Sequence, residues 1–472
     1  MNAIKLTYIT LGTTLLLSSC SQEEVIDHGN AGNDRRIIFH TALPAVTTRS
    51  QVITKDNFSS FQLTAFNPYD KGLIDNSNGK LIEYINNKPL IKEAGQGAIS
   101  SEDCLWPEPG NEDNVLTFFA FYPPLPESGE TKLTNNSIPG ETGEATIDYK
   151  MEKFRVAEDI TDHVDFVTAY ATGSMKEDLF SGIELDFQHQ LSRIEIKAWG
   201  ANKTGNIEIA GLRIGGVGIE GTFNFLPEDG AVESGMAGHW ETATLGKGKV
   251  EHIFHKGDQI ISLNNKAGIG NSAEKAISIM GNQAEDAVDD NCAMVIPSDY
   301  SKWDYTNDNV NSGQGMYLSV LLRVTDATSS GESQRYPYEN TSDRKDREVV
   351  YFAIDTTDGE IVSRIYPGED GKYFTDPANE NEYVAPEGTE IKDFGWAALP
   401  LAGTWKAGYV YTYLLDYSYG VGLFDPSDPT PGDPIISDKV GISLDIKGWN
   451  TSNTTDSEKP DYYDPVVPVP GS

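Results

Sequence analysis

Apolar and polar residues alternate with a period of two through much of the chain. Phe61, Leu63 and Ala65 form one such run, and Leu116, Phe118, Ala120 and Tyr122 form another, closed by Pro123-Pro124. Ile183, Leu185 and Phe187 alternate, and Ile194 with Ile196 continues after a break at Gln188-His189-Gln190. Met316, Leu318, Val320, Leu322 and Val324 are the longest clean run. Tyr409, Tyr411, Tyr413, Leu415, Tyr417 and Tyr419 make an aromatic stripe, and Val440, Ile442, Leu444 and Ile446 make a last strand. Successive side chains of a strand point to opposite faces, so each run predicts a half-buried β-strand. Near the N-terminus, Ile37-Ile38-Phe39-His40-Thr41-Ala42-Leu43 is a strand-length run stopped by Pro44. Helical periodicity is confined to Met175–Leu179. Strands, turn signals and little helix predict an all-β protein of sandwiches with mostly antiparallel sheets. No repeat of fixed period is present.

Between the patterned stretches the chain has three kinds of connector. Residues 21–35 are polar and read as a flexible tether, and Thr47-Thr48-Arg49-Ser50 has no apolar partner nearby, placing Arg49 in an exposed linker. Segment 241–314 is Gly-rich and weakly patterned, which predicts long loops. A break near 172–182 is the expected domain boundary, giving domains at 50–180 and 181–449. From residue 450 the tail is polar, and its final Pro465–Pro470 stretch lacks the N–H donors of a central strand.

The 472 residues are enough for two or three domains. Lys plus Arg number 36 against 72 Asp plus Glu, a net charge of −36 that repels phosphate and argues against nucleic acid and anionic lipid surfaces as partners. Hydrophobic residues at 38% supply too much core material for a disordered chain. At the N-terminus, Lys5 precedes a short apolar stretch ending Leu17-Ser18-Ser19-Cys20. It is too short for a membrane span and reads as a signal peptide over 1–19, with a resemblance to a bacterial lipobox that makes Cys20 the lipidated residue. The other two cysteines, Cys104 and Cys292, are either a disulfide or two buried thiols.

A search for chemistry returns no catalytic motif. Gly216-Val217-Gly218-Ile219-Glu220-Gly221 matches a dinucleotide fingerprint, but a short strand ending at Pro227 follows where a helix is required. His252 and His255 lie on a predicted strand edge, where positions three apart face opposite sides, so no metal is expected. His189 reads as a polar turn residue. The acidic run Glu285–Asp290 lacks the glycine and terminal glutamate of a calcium loop and reads as a solvated face. Trp240, Trp303 and Trp396 either stack on sugars from exposed loops or fill a sandwich core. These readings predict neither enzyme activity nor a cofactor.

Several segments taken in order carry a resemblance. They are the lipobox cysteine, the tether, the Ile37-Ile38-Phe39 strand, Thr-Thr-Arg-Ser, Phe61–Phe66, Leu116–Pro123, Asp165–Ala169, Leu185–Ile196, Trp405–Tyr413 and Ile442–Trp449. The chain thereby resembles the fimbrillins of the Bacteroidales type V pili, including the Mfa-like surface lipoproteins. That resemblance implies two transthyretin-like β-sandwich domains with Greek-key-like sheets and few short helices. It implies a propeptide over 20–49, cut between Arg49 and Ser50 by a trypsin-like, arginine-specific protease. The departing strand would be Ile37–Leu43, with Ile37, Phe39, Thr41 and Leu43 facing the core, and another pilus subunit would refill the groove. Val440, Ile442, Leu444 and Ile446 are the candidate donor strand. The implied place is the outer membrane and the fimbrium, with a host or bacterial surface ligand as a further partner. The alternative is a surface lipoprotein that binds glycan and does not polymerise.

Overall fold

The structure, a computed structural model, describes residues 35–43, 58–92, 98–126, 129–140, 145–200, 205–228, 238–263, 270–281, 292–305, 315–329, 332–338, 347–368, 371–378, 382–436 and 439–449, with backbone only for 326–329 and 332–334. The regular structure among them is almost entirely strand. The expected helix is present as the single turn Met175–Asp178, and among the described residues no helix is long and apolar enough to cross a membrane.

Two sheets enclose the first core. One has five strands in the order 188–189, 167–174, 115–122, 60–66 and 85–91; the other has three, in the order 98–105, 36–42 and 183–186. Phe39, Phe61, Leu63, Trp106, Leu116, Phe118, Val167, Leu185 and Phe187 meet between them. The strand Val115–Tyr122 reads VLTFFAFY, and its apolar residues occupy both faces. Leu116, Phe118 and Ala120 enter this core, whereas Phe119 and Phe121 point the other way into a larger second core. The five-stranded sheet is therefore sandwiched on both sides, as a near-continuous apolar run requires.

The larger core lies against a thirteen-stranded sheet built on one long strand, Asn206–Asn224. That strand pairs along successive parts of its length with 317–329, 246–253, 261–263, 239–240 and 149–155, shifting register at bulges. Gly216–Gly221 lies inside it, with no helix in the position a dinucleotide site needs. Gly216 has φ +72°, and a Cβ there would sit 2.3 Å from the Gly315 carbonyl oxygen, so the glycine serves a close strand approach. A second sheet on this core joins 277–278, 192–199, 409–416 and 441–448. Among the described strands, pairing is antiparallel except where 36–42 meets 183–186 and 192–199 meets 409–416.

Several placements differ from the sequence reading. Strand 183–186, expected beyond the boundary at 180, contributes Ile183 and Leu185 to the first core. Strands 132–135 and 149–155, expected in the first unit, join the larger sheet through 206–224. Tyr149, Met151 and Phe154 draw them there by burying in the larger core. Among its described residues, segment 241–314, expected to hold long loops, carries short strands at 246–253, 261–263, 277–278, 293–295 and 298–300. Trp303 and Trp396 are buried. Trp240 packs on Phe154, Phe166 and Phe223, and its Nε1–H donates to the Gln190 carbonyl at 2.6 Å. All three tryptophans are core residues, not sugar platforms.

Candidate strand-exchange site

The first strand, Arg36–Ala42, is internal to its sheet. It pairs antiparallel with 98–105, setting Phe39 opposite Ile99 and His40 opposite Ala98. It pairs parallel with 183–186, setting Phe39 beside Ile183 and Thr41 beside Leu185. Flanking bonds extend both ladders: the Trp106 N–H donates to the Arg35 carbonyl at 2.7 Å, and the Phe187 N–H donates to the Ala42 carbonyl at 2.8 Å. Ile37 and Phe39 are fully buried, and Phe39 meets Phe118 edge-on with ring centroids 5.7 Å apart. Leu43 is half-buried against the same core. Thr41 is half-buried as well, and its hydroxyl accepts from Lys92 Nζ at 3.3 Å.

Burying a large apolar side chain is worth about 1.5–3 kcal/mol. Ile37 and Phe39 alone therefore supply roughly 3–6 kcal/mol, before the backbone bonds to two neighbouring strands. A domain's whole net stability is about 5–15 kcal/mol. Removing this strand would open a groove lined by Ile99, Trp106, Phe118, Ile183 and Leu185, with unpaired backbone along both sides. Such a groove is stable only when a strand occupies it.

Chain 44–57 connects this strand to Phe58 and lies outside the described residues, as do Arg49, Ser50 and the lipidation candidate Cys20. The stretch is anchored at both ends: beyond it, Phe58 packs on Phe61, Phe187 and Tyr122.

Ile442, Leu444 and Ile446 of the candidate donor lie in the strand Gly441–Gly448, with Val440 just before it; among the described residues this strand is at a sheet edge and pairs only with 409–416. Ile442, Leu444 and Ile446 are half-buried against the larger core while the intervening residues are exposed, and Val440 is buried. Trp449 ends the strand. It is fully buried and stacks on His189 at 3.9 Å between ring centroids, with the Arg193 guanidinium 5.9 Å from its own ring centre. His189 is itself buried, its Nδ1 lying 2.6 Å from Asp165 Oδ2, so it is a core residue and not a turn residue. Nothing in the local sequence signals this arrangement, because Asp165, His189 and Trp449 come from three distant segments.

His252 and His255 do not face opposite sides. The strand carrying His252 ends at Ile253, and the following turn brings the two rings to 5.3 Å. The run Glu285–Asp290 lies outside the described residues. Cys104 and Cys292 are buried in different cores and are not joined as a disulfide, and burial pushes the Cys104 thiol up to about 11.

These features define an all-β protein of stacked sheets whose first strand is an internal staple and whose last strand is an edge. Residues 46–255 match the fimbrillin-like family, so this stretch of the chain is fimbrillin-like. A comparison with curated proteins finds no match. Among solved structures, a fimbrial protein from Bacteroides vulgatus aligns over 88% of this chain and 100% of its own, at 12% identity and a TM-score of 0.45. A candidate cell adhesion protein from Bacteroides ovatus aligns over 89% of this chain and 99% of its own, at 12% identity and a TM-score of 0.37.

Proposed function

We propose that the chain is a structural and adhesive subunit of a cell-surface fimbria. It is exported as an outer-membrane lipoprotein precursor through Cys20 and cut between Arg49 and Ser50 by an arginine-specific protease. Other pilus subunits then join it by strand exchange, and the chain has no enzyme activity of its own. The observation that supports this reading most is the internal position of the first strand. An edge strand could be lost and leave a closed sheet, whereas loss of this one splits its sheet and uncovers a core. Arg49 falls in the sequence between the first strand and Phe58, so a single cut there would leave Phe58 with the body and free the strand at its C-terminal end. The edge strand Gly441–Gly448 carries the alternation that a donor needs.

The experiment is limited trypsin digestion of the purified full chain, read by intact mass and on an unboiled gel. The expected result is first cleavage at Arg49-Ser50 followed by growth of SDS-resistant multimers. Cleavage that leaves a monomer would remove the donor role. Resistance of Arg49 while other sites are cut would remove the mechanism and favour a surface lipoprotein that does not polymerise.

A further inference from the structure

His252 is a buried imidazole between two carboxylates that do not hydrogen-bond to it. Its Nδ1 lies 3.6 Å from Asp159 Oδ1 and its Nε2 lies 3.8 Å from Asp258 Oδ2, both too long for a hydrogen bond. Nδ1 has no hydrogen-bond partner although the side chain is only 3% exposed. A buried polar atom left unmatched in this way costs about 1–3 kcal/mol and calls for an explanation. Gly281 packs close beside Nε2, where a side chain would press on the ring. Gly281 has φ +96°, and a Cβ there would stand 2.7 Å from that nitrogen.

His255 completes the cluster. The chain leaves the strand at Ile253 and turns, so that the Asp258 carboxylate accepts from the His255 backbone N–H at 2.6 Å. The same turn is fixed to a neighbouring hairpin: the Gly257 N–H donates to the Ile361 carbonyl at 3.0 Å and the Ile361 N–H to the Asp258 carbonyl at 2.8 Å. One ligand atom each from His252, His255 and Asp258 lies within 4.8 Å of the others. His255 Nε2 is also 4.0 Å from Asp159 Oδ2, so Asp159 faces both imidazoles. The Asp159 carboxylate is itself oriented by the Thr161 N–H and hydroxyl at 2.9 and 2.8 Å.

We infer that His252, His255 and Asp258 form a divalent transition-metal site, of zinc type, with Asp159 as the carboxylate that orients the His252 ring or closes the shell. Two imidazoles and carboxylate oxygens are donors that zinc accepts in tetrahedral geometry. With Zn–N bonds of 2.0–2.1 Å, donors around tetrahedral zinc sit about 3.3 Å apart. The cluster is slightly more open than that, and His255, with 63% of its side chain exposed, is free to close it. A carboxylate on the second nitrogen of a metal-bound histidine is the usual outer partner that fixes the ring. The bound ion would tie three separate segments together: the connector at Asp159, the turn 254–258 and, through that turn, the hairpin at Ile361. This inference is independent of the fimbrial reading.

The test is zinc binding to the full chain after removal of metals with a chelator, read by equilibrium dialysis with elemental analysis and by thermal melting. The expected result is one tight equivalent per chain and a melting temperature that rises with zinc. His255→Gln changes an exposed side chain and keeps the fold, yet it should abolish both effects; Asp159→Asn should weaken binding by about 10–100-fold. Cobalt in place of zinc should give the visible absorption of a tetrahedral site in the wild type and not in His255→Gln. No stoichiometric zinc in the wild type, or equal binding and equal melting shifts in wild type and His255→Gln, would overturn the inference.

Discussion

Replacing Phe39 by alanine probes the first strand where it matters most. The ring is fully buried, sits edge-on to Phe118, and lies between Ile99 on one strand and Ile183 on the other. Truncating a buried phenylalanine costs about 3–5 kcal/mol, from lost burial together with the cavity left behind. The neighbours here are strands pinned by two ladders, so they have little freedom to collapse into the space and the upper half of that range is expected. Thr41→Ala on the same strand removes one half-buried hydroxyl and should cost no more than about 1 kcal/mol. The assay is urea denaturation followed by circular dichroism, comparing midpoints at constant m. After a cut at Arg49 the contrast should sharpen, because the strand is then held by noncovalent contacts alone; the Phe39→Ala strand should leave first. A Phe39→Ala cost below about 1 kcal/mol, or one equal to that of Thr41→Ala, would refute the claim that this strand staples the core.

Other consequences are testable in the same way. His163 is buried; burial holds its pKa down at about 4, against 6.5 when exposed, and as a neutral ring it accepts from the Met294 N–H at 2.8 Å and lies 3.0 Å from the Ala157 carbonyl. The unfolded chain binds the extra proton between those values, so stability should fall as pH drops from 6.5 to 4, by about 3 kcal/mol at the lower end; His163→Gln should flatten that slope in urea midpoints. Arg213 is buried against Asp425 at 3.2 Å and Glu348 at 3.1 Å, over the Trp396 ring. Arg213→Ala leaves Asp425 as an unpaired buried charge and should cost about 3–5 kcal/mol, with part recovered when Asp425 is also replaced by an apolar residue. Trp449→Ala should cost about 3–5 kcal/mol and speed amide exchange selectively across 441–448, since the tryptophan is the anchor of that edge strand. Cys104 and Cys292 should stay unreactive to a thiol reagent until the protein unfolds, because both are buried and the Cys104 thiolate is disfavoured.

Most strands were legible because a half-buried strand writes its burial into every second residue. The runs at 61–65, 316–324, 409–419 and 440–446 fall on the strands 60–66, 317–329, 409–416 and 441–448, the third stopping before Tyr417 and Tyr419 and the fourth starting after Val440. The helical turn at 175–178 was legible from its period, and the strand after Gly216–Gly221 from its flanking residues, whereas the glycines themselves carried no strand signal. What the pattern does not carry is pairing. Nothing in the period of Tyr149–Arg155 says that it joins 206–224 instead of the sheet next to it in the chain. The same limit hid both clusters of buried polar groups. His252 and His255 looked opposed because strand spacing was extended through a position where the backbone turns, and Asp159, nearly a hundred residues earlier, reaches them only through the fold. Trp449 looked like the end of a strand; its partners His189 and Asp165 are over 250 residues away. The three tryptophans offered as sugar platforms were ambiguous for a simpler reason, since aromatic residues fill cores and mark binding surfaces alike.

The most direct test of the exchange mechanism is to lock the first strand in place and ask whether assembly stops. His40 and Ala98 are directly opposite in the antiparallel pair, and such residues sit about 4.5–5.5 Å apart at Cα, within the span a disulfide bridges. The full chain carrying His40→Cys and Ala98→Cys would be cut at Arg49 with the bond intact or reduced, and run unboiled. The account predicts monomer while the disulfide holds and SDS-resistant multimers after reduction. Multimers that grow equally with the strand locked, or none in either state, would contradict it.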